Sequence, residues 1–363
     1  MDKKGIIILP AKTVKTTKKI RVGDIYIGGD AAITVQSMTN TDTRDVTATV
    51  NQIAALADAG CDIARVAVKD MAAAQAIREI KKHTRIPIVA DVHFDYLLAI
   101  ESIKSGADKL RINPGNIGGS ENVKKVVNAA KEYGIPIRVG VNGGSLEKDL
   151  LEKYGEAAPA ALAESAARHI ALLEENNFSD IIISVKSSSV PLTYDAYVLM
   201  SERCDYPLHI GVTDAGTLKS GIIKSAAGIG GLLLRGIGDT VRVSLTADPL
   251  EEVKCAVELL KALGLRHGGV TFVSCPTCGR TEIDLLNLAQ KAEEYCANIK
   301  KDIKVAVMGC VVNGPGEAKD ADIGIAGGKG SGVLFKKGKV VATLPESELL
   351  AALIKEIEGF AAG

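Results

Sequence analysis

The chain has 363 residues, 47% hydrophobic and 24% charged, with 44 Lys+Arg balanced by 44 Asp+Glu. These proportions describe an ordinary globular protein, long enough for one large domain and a smaller one. Zero net charge supplies no field to gather nucleic acid or an anionic membrane, and 4% aromatic residues with no Trp leave no base-stacking surface.

Near the N-terminus the one apolar run, Ile6–Leu9, is too short for a signal peptide, and no later stretch approaches a membrane span. Scattered cysteines without a secretion signal point to a reducing cytoplasm. From residue 34 to 245, short apolar β-branched runs alternate with helical patterns. The predicted strands are 34–38, 63–68, 87–92, 109–113, 136–141, 181–186, 208–212 and 240–245. Amphipathic or alanine-rich segments such as 46–59, 71–82, 96–105, 123–133 and 158–176 lie between them. Eight strands each followed by a helix predict an α/β fold, a closed parallel (β/α)8 TIM barrel. Residues 18–31 precede the barrel and read as a hairpin plugging its base. The competing open doubly wound sheet lacks its phosphate turn, because Gln36-Ser37-Met38-Thr39-Asn40 after the first strand contains no glycine.

Alternation along strands puts residues two apart on one face. Arg65, Ala67 and Lys69 then align, as do Asp91 with His93, and Lys109, Arg111 and Asn113. Arg138, Gly140 and Asn142 share a face, and so do Ser184 with Lys186 and Arg242 with Ser244. The intervening Val66, Leu110, Ile112, Val139, Val241 and Val243 are apolar and suit the surrounding helices. Arg65, Arg111, Arg138, Lys186 and Arg242 are therefore five cations aimed at one barrel mouth, with Asp91 and Asp214 as the nearby acids. Two like charges about 4 Å apart cost on the order of 4 kcal/mol at an effective dielectric of 20. Such a cluster requires a polyanion, and Arg forks match phosphate oxygens. The predicted ligand carries two phosphates or a diphosphate.

After about residue 268 the pattern changes to a separate small α/β domain, with the linker near residues 264–269. This divides the chain into a barrel domain, 1–267, and a metal-binding domain, 268–363. The segments 271–275, 304–308, 322–326, 332–336 and 340–344 read as strands, the last two joined through Lys337-Gly338. Residues 281–300 read as a helix capped by Thr281, and 345–360 as the closing helix. Cys275-Pro276-Thr277-Cys278 and the distant Cys310 form a thiolate set, and Glu317, seven residues after Cys310, is the acceptor that completes it. Gly314-Pro315-Gly316 would turn Glu317 back through a glycine with positive φ. Three thiolates and a carboxylate suit an iron–sulfur cluster with one weakly held iron. Structural zinc is the alternative, with Cys296 as fourth ligand, although Cys296 falls on the apolar stripe of its helix.

Together these segments resemble one family. The motifs are Val35-Gln36-Ser37-Met38-Thr39-Asn40, Ala90-Asp91-Val92-His93-Phe94, Leu110-Arg111-Ile112-Asn113-Pro114-Gly115-Asn116 and Arg138-Val139-Gly140-Val141-Asn142-Gly143-Gly144-Ser145-Leu146. Further along come Gly236-Ile237-Gly238-Asp239-Thr240-Val241-Arg242-Val243-Ser244, Cys275–Arg280 in full, and Asn313-Gly314-Pro315-Gly316-Glu317. They are similar to those of the bacterial flavodoxin- or ferredoxin-dependent 4-hydroxy-3-methylbut-2-en-1-yl diphosphate synthases of the methylerythritol phosphate route, in their compact two-domain form. The resemblance implies reductive ring opening of 2-C-methyl-D-erythritol 2,4-cyclodiphosphate, with electrons passed singly through one 4Fe–4S cluster from reduced flavodoxin or ferredoxin. It implies Cys275, Cys278, Cys310 and Glu317 as cluster ligands. It also implies Arg65, Arg111, Arg138, Asn142, Lys186, Arg242 and Ser244 as the diphosphate clamp, with Asp91, His93, Asn113 and Thr213 lining the pocket. A head-to-tail homodimer is implied as well. One departure stands out: Thr213-Asp214-Ala215-Gly216 carries Asp where the family has Glu, which shortens the reach of that acid. Two rivals remain, a zinc-bearing barrel enzyme acting on another phosphorylated or pterin-like ligand, and an electron carrier that would leave the five cations without a purpose.

Overall fold

The computed structural model describes residues 16–297, 299–311 and 314–362; the run Ile6–Leu9 and the motif residue Asn313 lie outside them. The chain forms two compact units, Met1–Leu265 and Arg266–Gly363.

The first unit opens with an antiparallel hairpin of β1 (Ile20–Val22) and β2 (Ile25–Ile27). Eight parallel strands then alternate with helices: β3 (Thr34–Met38), α1 (Val46–Asp58), β4 (Ile63–Ala67), α2 (Met71–His83), β5 (Ile88–Asp91), α3 (Tyr96–Lys104), β6 (Lys109–Ile112) and α4 (Ser120–Tyr133). The series continues through β7 (Ile137–Asn142), α5 (Lys148–Tyr154), α6 (Pro159–Glu174), β8 (Ile181–Lys186), α7 (Val190–Arg203), β9 (His209–Ile210), α8 (Leu218–Leu234), β10 (Thr240–Val241) and α9 (Pro249–Ala262). The strand order is β8-β7-β6-β5-β4-β3-β10-β9, and a parallel bridge between Ile183 and Leu208 joins its two ends. This is the (β/α)8 barrel that the alternating runs imply.

Two differences from the sequence reading have local causes. The last two strands are two residues each, because beyond Ile210 and Val241 the backbone bonds leave the ladder. Thr213 N donates to Ser187 O (3.2 Å) and Thr246 N to Gly216 O (2.9 Å). The short helix α5 was not expected. Its seven residues are too few to show a helical period.

The hairpin sits where the sequence places it. Ile20, Val22 and Ile27 pack on Ile63, Val89 and Ile182 near the amino ends of β4, β5 and β8. The base is thereby sealed with apolar side chains.

A repeated device holds the strands in register. Asp62, Asp108 and Asp239 each stand one residue before a strand (β4, β6 and β10) and accept a backbone N–H from the neighbouring chain. The donors are Val35, Ile88 and Leu208, each at 2.7 Å. Slanted parallel ladders leave such an N–H without a backbone partner at the start of a strand, and the carboxylate supplies one.

The second unit contains β11 (Val270–Ser274), α10 (Leu285–Cys296), β12 (Ile303–Met308), α11 (Gly314–Glu317), β13 (Ile323–Gly328), β14 (Ser331–Lys336), β15 (Lys339–Pro345) and α12 (Glu346–Ala362). Its sheet runs β11-β12-β13-β14-β15, parallel through β13 and antiparallel thereafter. Asp322, one residue before β13, accepts the Lys304 N–H (2.9 Å), repeating the barrel device. Lys337 and Gly338 both have positive φ, 47° and 73°, as a tight hairpin turn demands. Helix α10 starts later than the predicted 281. Its cap is Asp284, which accepts from Asn287 N, because Thr281 is engaged elsewhere.

Replacing Asp108 by Ala strands the buried Ile88 N–H and should lower stability by roughly 1–3 kcal/mol. Asp108→Asn keeps an acceptor and should lose clearly less. Urea unfolding of both variants against wild type tests the device, and equal losses would show that the carboxylate does not act through this hydrogen bond.

Candidate functional site

Val66, Leu110, Ile112, Val139, Val241 and Val243 belong to the core between strands and helices. Strand alternation therefore turns the residues between them into the lumen. Arg65, Arg111, Arg138 and Lys186 are buried there, Arg138 only 2% exposed, and Arg242 is half-buried just past β10. Register places them close in level: Asp91 pairs with Arg111, Arg111 with Arg138, and Asn142 with Lys186.

Asp91 organises one side of this set. Its carboxylate lies 3.1 Å from Arg111 Nη1, 3.8 Å from Arg65 Nε and 3.4 Å from His93 Nε2. Burial alone would raise the Asp91 carboxyl, but Arg65, then His93 and Arg111, hold it far below the usual carboxylate range. The exposed His93 ring lies against Arg111 Nη1, at 3.2 and 3.4 Å from its two nitrogens. Arg65 also donates to Met38 Sδ from Nε and Nη2 (3.1 and 2.9 Å). Arg138 Nη1 donates to Ser184 Oγ (2.6 Å).

A second acid joins them that alternation did not find. Glu252 on α9 is buried and lies 3.4 Å from Arg242 Nη2, while accepting from Ser37 Oγ (3.1 Å) and Leu245 N (3.0 Å). The acids facing the cations are thus Asp91 and Glu252. Asp214, expected among them, is exposed and makes no ion pair with the described residues; its φ of 50° places it in the left-handed region. The signal for Glu252 was its place on the buried stripe of α9, in step with Pro249, Val253, Ala256 and Leu260.

Two glycines make room for the cations. A Cβ on Gly140 would lie 2.8 Å from Arg111 Nε, and one on Gly211 would lie 2.8 Å from Lys186 Nζ. The electrostatic cost is evident in the basic groups. Burial first, and neighbouring arginines second, push Arg138 and Lys186 well below their ordinary values, and burial pushes Arg65 down against the pull of Asp91. Four N–H-bearing atoms of the arginines, Arg111 Nε, Arg138 Nε and Nη2 and Arg242 Nε, are buried without a hydrogen-bond partner among the described residues. Buried donors of this kind ordinarily find an acceptor, so the set suits an anion with several oxygens.

The other expected residues take varied places. Asn113 is buried, and its Oδ1 accepts the Gly115 N–H (3.1 Å), shaping the loop after β6. Thr213 and Ser244 are half-buried beyond β9 and β10. Lys69 is exposed beyond β4, outside the lumen. Two lumen residues were passed over as site members, the fully buried Lys109 and His209. His209 could have been found by extending the alternation to its strand, where it shares a face with Gly211.

In the second unit, parallel pairing of Ser274 with Val307 brings the ends of β11 and β12 together. Cys275 follows directly, and its Sγ accepts the Gly309 N–H at 3.1 Å, next to Cys310. Thr281 closes the loop: its Oγ1 accepts from Cys278 N (3.2 Å) and its N–H donates to Cys278 O (3.0 Å). The Arg280 backbone N–H foremost, with the Arg280 and Thr281 side chains, lowers the exposed Cys278 thiol. Cys296 is a core residue of α10, its thiol pushed up to about 11 by burial. Glu317 is exposed at the end of α11. Gly316 does not use positive φ; Gly314–Glu317 forms a helical turn instead, which proline at an early helical position favours. Among the described residues no three His, Cys, Asp or Glu side chains converge as around a single ion.

Both units match known families. A family model describing the GcpE TIM-barrel domain matches residues 17–257, and one describing the GcpE protein C-terminal domain matches residues 271–359. A protein of Caldanaerobacter subterraneus subsp. tengcongensis is 62% identical over 347 residues, 96% of this chain and 98% of its own length. One from Ruminiclostridium cellulolyticum is 60% identical over 341 residues, 94% and 97% of the two chains. Both bear the name 4-hydroxy-3-methylbut-2-en-1-yl diphosphate synthase (flavodoxin). Among solved structures, a Plasmodium falciparum HPPK-DHPS is similar with a TM-score of 0.51 at 10% identity, over 68% of this chain and 50% of that one, a likeness of fold alone.

Gly140→Ala tests the packing of the cations. The added methyl must displace the Arg111 guanidinium, so affinity for inorganic diphosphate should fall by about tenfold or more, one charge-assisted contact being worth roughly 1.5–3 kcal/mol. Titration calorimetry reads the affinity and circular dichroism checks the fold. Unchanged affinity in a folded variant would remove Arg111 from the anion site.

Proposed function

The chain belongs to the GcpE family, and from that membership we propose that it catalyses the reductive ring opening of 2-C-methyl-D-erythritol 2,4-cyclodiphosphate. The products are 4-hydroxy-3-methylbut-2-enyl diphosphate and water, reduced flavodoxin is the electron donor, and the step serves isoprenoid precursor synthesis. The named relatives at 62% and 60% identity support this reading. The structural observation that carries it is the buried, under-neutralised cation set at the carboxyl ends of the barrel strands.

In this reading Arg111, Arg138, Lys186 and Arg242 bind the diphosphate oxygens, with Asn142 and Ser244 adding neutral donors and Thr213 and Asn113 lining the rim. Asp91 does not face the phosphates, since like charges would repel; it fixes Arg65 and Arg111 in place. His93, exposed beside Arg111, borders the sugar-derived part of the ligand. Asp214 supplies an acid at the rim for a substrate hydroxyl. The reaction consumes two electrons and two protons, breaks the ring C–O bond and releases a hydroxyl as water.

The donor set of the second unit fits an iron–sulfur cluster. Cys275 and Cys278 lie on one loop, Cys310 follows the adjacent strand, and backbone N–H groups already serve the Cys275 sulfur and lower the Cys278 thiol. Cluster ligands reach separate irons and need not converge as those of one ion do. Cys275, Cys278, Cys310 and Glu317 would hold a 4Fe–4S cluster, which supplies electrons singly and an iron able to exchange an oxygen ligand. Glu317, the hard ligand among soft ones, is the position at which that exchange is easiest. None of the seven cysteines is in a disulfide, which supports a reducing cytoplasm. No described helix is long and apolar enough to cross a membrane. The same reading includes a head-to-tail homodimer, which sedimentation would detect as twice the 38.0 kDa chain mass.

Protein purified anaerobically should contain iron and sulfide and turn over the cyclodiphosphate with reduced flavodoxin. Colourless protein with stoichiometric zinc would defeat this reading. Glu317→Ala should lose most turnover and hold a more labile cluster, whereas Cys275→Ala should fail to assemble one. Near-wild-type turnover by Glu317→Ala with an unaltered iron spectrum would reopen the search for the fourth ligand. Arg242→Ala should weaken substrate binding by roughly 1.5–3 kcal/mol and leave the cluster spectrum intact.

A further inference from the structure

Below the cations of the barrel mouth lies Lys109, on the lumen face of β6 with Arg111 and Asn113. It has no solvent exposure, and its Nζ has no hydrogen-bond partner among the described residues. An ammonium so placed is normally paired with an acid. Among the described residues, the charged and titratable groups facing the lumen are Arg65 on β4, Asp91 on β5, Arg111 on β6 itself, Arg138 on β7, Lys186 on β8, His209 on β9 and Arg242 beyond β10; β3 presents the uncharged Thr34, Gln36 and Met38. Asp91 is engaged by Arg65, Arg111 and His93, and Glu252 by Arg242 from the helix side. What Lys109 faces is therefore cationic or neutral. Gln36 on both side-chain atoms, His209 on Nε2 and Arg138 on Nε and Nη2 are likewise buried without partners.

We propose that Lys109 is a further working group of this site, neutral in the ligand-free barrel and protonated from solvent when a diphosphate dianion occupies the mouth. Its Nζ lone pair takes the proton and no other bond changes. The proposal rests on the diphosphate reading and adds to it a proton taken up with the ligand. The direction of the Lys109 equilibrium agrees: burial first, then Arg138 and Arg65, hold it well below an ordinary lysine. Each negative charge brought into the mouth opposes those arginines and favours the ammonium by roughly tenfold or more at the effective dielectric of a protein interior. His209 is held neutral by burial first and then by the neighbouring cations.

A group protonated in the complex and neutral in the free protein makes binding tighter at low pH. Between the free and bound pKa values of Lys109, Kd should rise about tenfold per pH unit. The probe is 2-C-methyl-D-erythritol 2,4-cyclodiphosphate itself, bound to anaerobically prepared, oxidised holoenzyme without reductant. Its diphosphate carries only strongly acidic protons and brings none of its own to the balance. Calorimetric titration over a pH series, in buffers of different ionisation enthalpy, should show proton uptake that approaches one per ligand bound between those two pKa values. Lys109→Met should bind with no uptake and a flat pH profile. Binding without proton uptake in wild type, or undiminished uptake in Lys109→Met, overturns the proposal, as does loss of uptake in His209→Asn alone. Should Lys109→Met fail to fold, the wild-type slope of log Kd against pH decides, and a flat slope is the refuting result. Absence of any binding would instead overturn the substrate reading, and this inference with it.

Discussion

Repulsion between like charges inside a low-dielectric barrel is the constraint around which the larger unit is arranged. Asp91 and Glu252 offset part of it, but they pair with Arg65, Arg111 and Arg242 and leave Arg138 and Lys186 without an ion pair among the described residues. The buried unpartnered donors record the same imbalance in hydrogen-bond terms. A fold that carries such a cost holds it by strong support elsewhere. Here the support is the apolar shell between strands and helices, the sealed base under the hairpin, and the aspartates that hold neighbouring strands in register.

Those supports are also what give the cations their geometry. A one-residue slip of any strand would turn its arginine toward the helices, so the Asp62, Asp108 and Asp239 hydrogen bonds matter to the site although none of them touches it. Gly140 and Gly211 act in the same way, through volume: each leaves the space that one basic head group fills. Site precision here is a property of backbone register and of missing methyl groups as much as of the charged residues themselves.

The smaller unit solves a different problem, bringing thiolates from distant segments to one end of a sheet. Parallel pairing of β11 and β12 sets Cys275 beside Gly309, and the Thr281 hydrogen bonds close the Cys275–Cys278 loop. N–H groups directed at sulfur favour the thiolate form, the form that ligates iron. Glu317 differs from the cysteines in chemistry, an exposed carboxylate at the end of α11.

Much of this was legible in the residues. Apolar alternation alone determined the eight strands, the hairpin at the base and the inward direction of Arg65, Arg111, Arg138 and Lys186, because strand period and burial are local properties. The motifs determined the family. Tertiary structure decided the rest. Glu252 reaches Arg242 from a helix rather than a strand, so no strand period could reveal it. Thr281 serves the cysteine loop instead of capping α10, whose first turn is capped by Asp284. Asp214 lies outside the ion-pair network, since the chain leaves the ladder just after the two-residue β9. Lys109 shares its face with Arg111 in the bare sequence, yet its lack of a partner among the described residues emerges only when the strands close, because the absence of a partner is a property of the whole lumen and of no single segment.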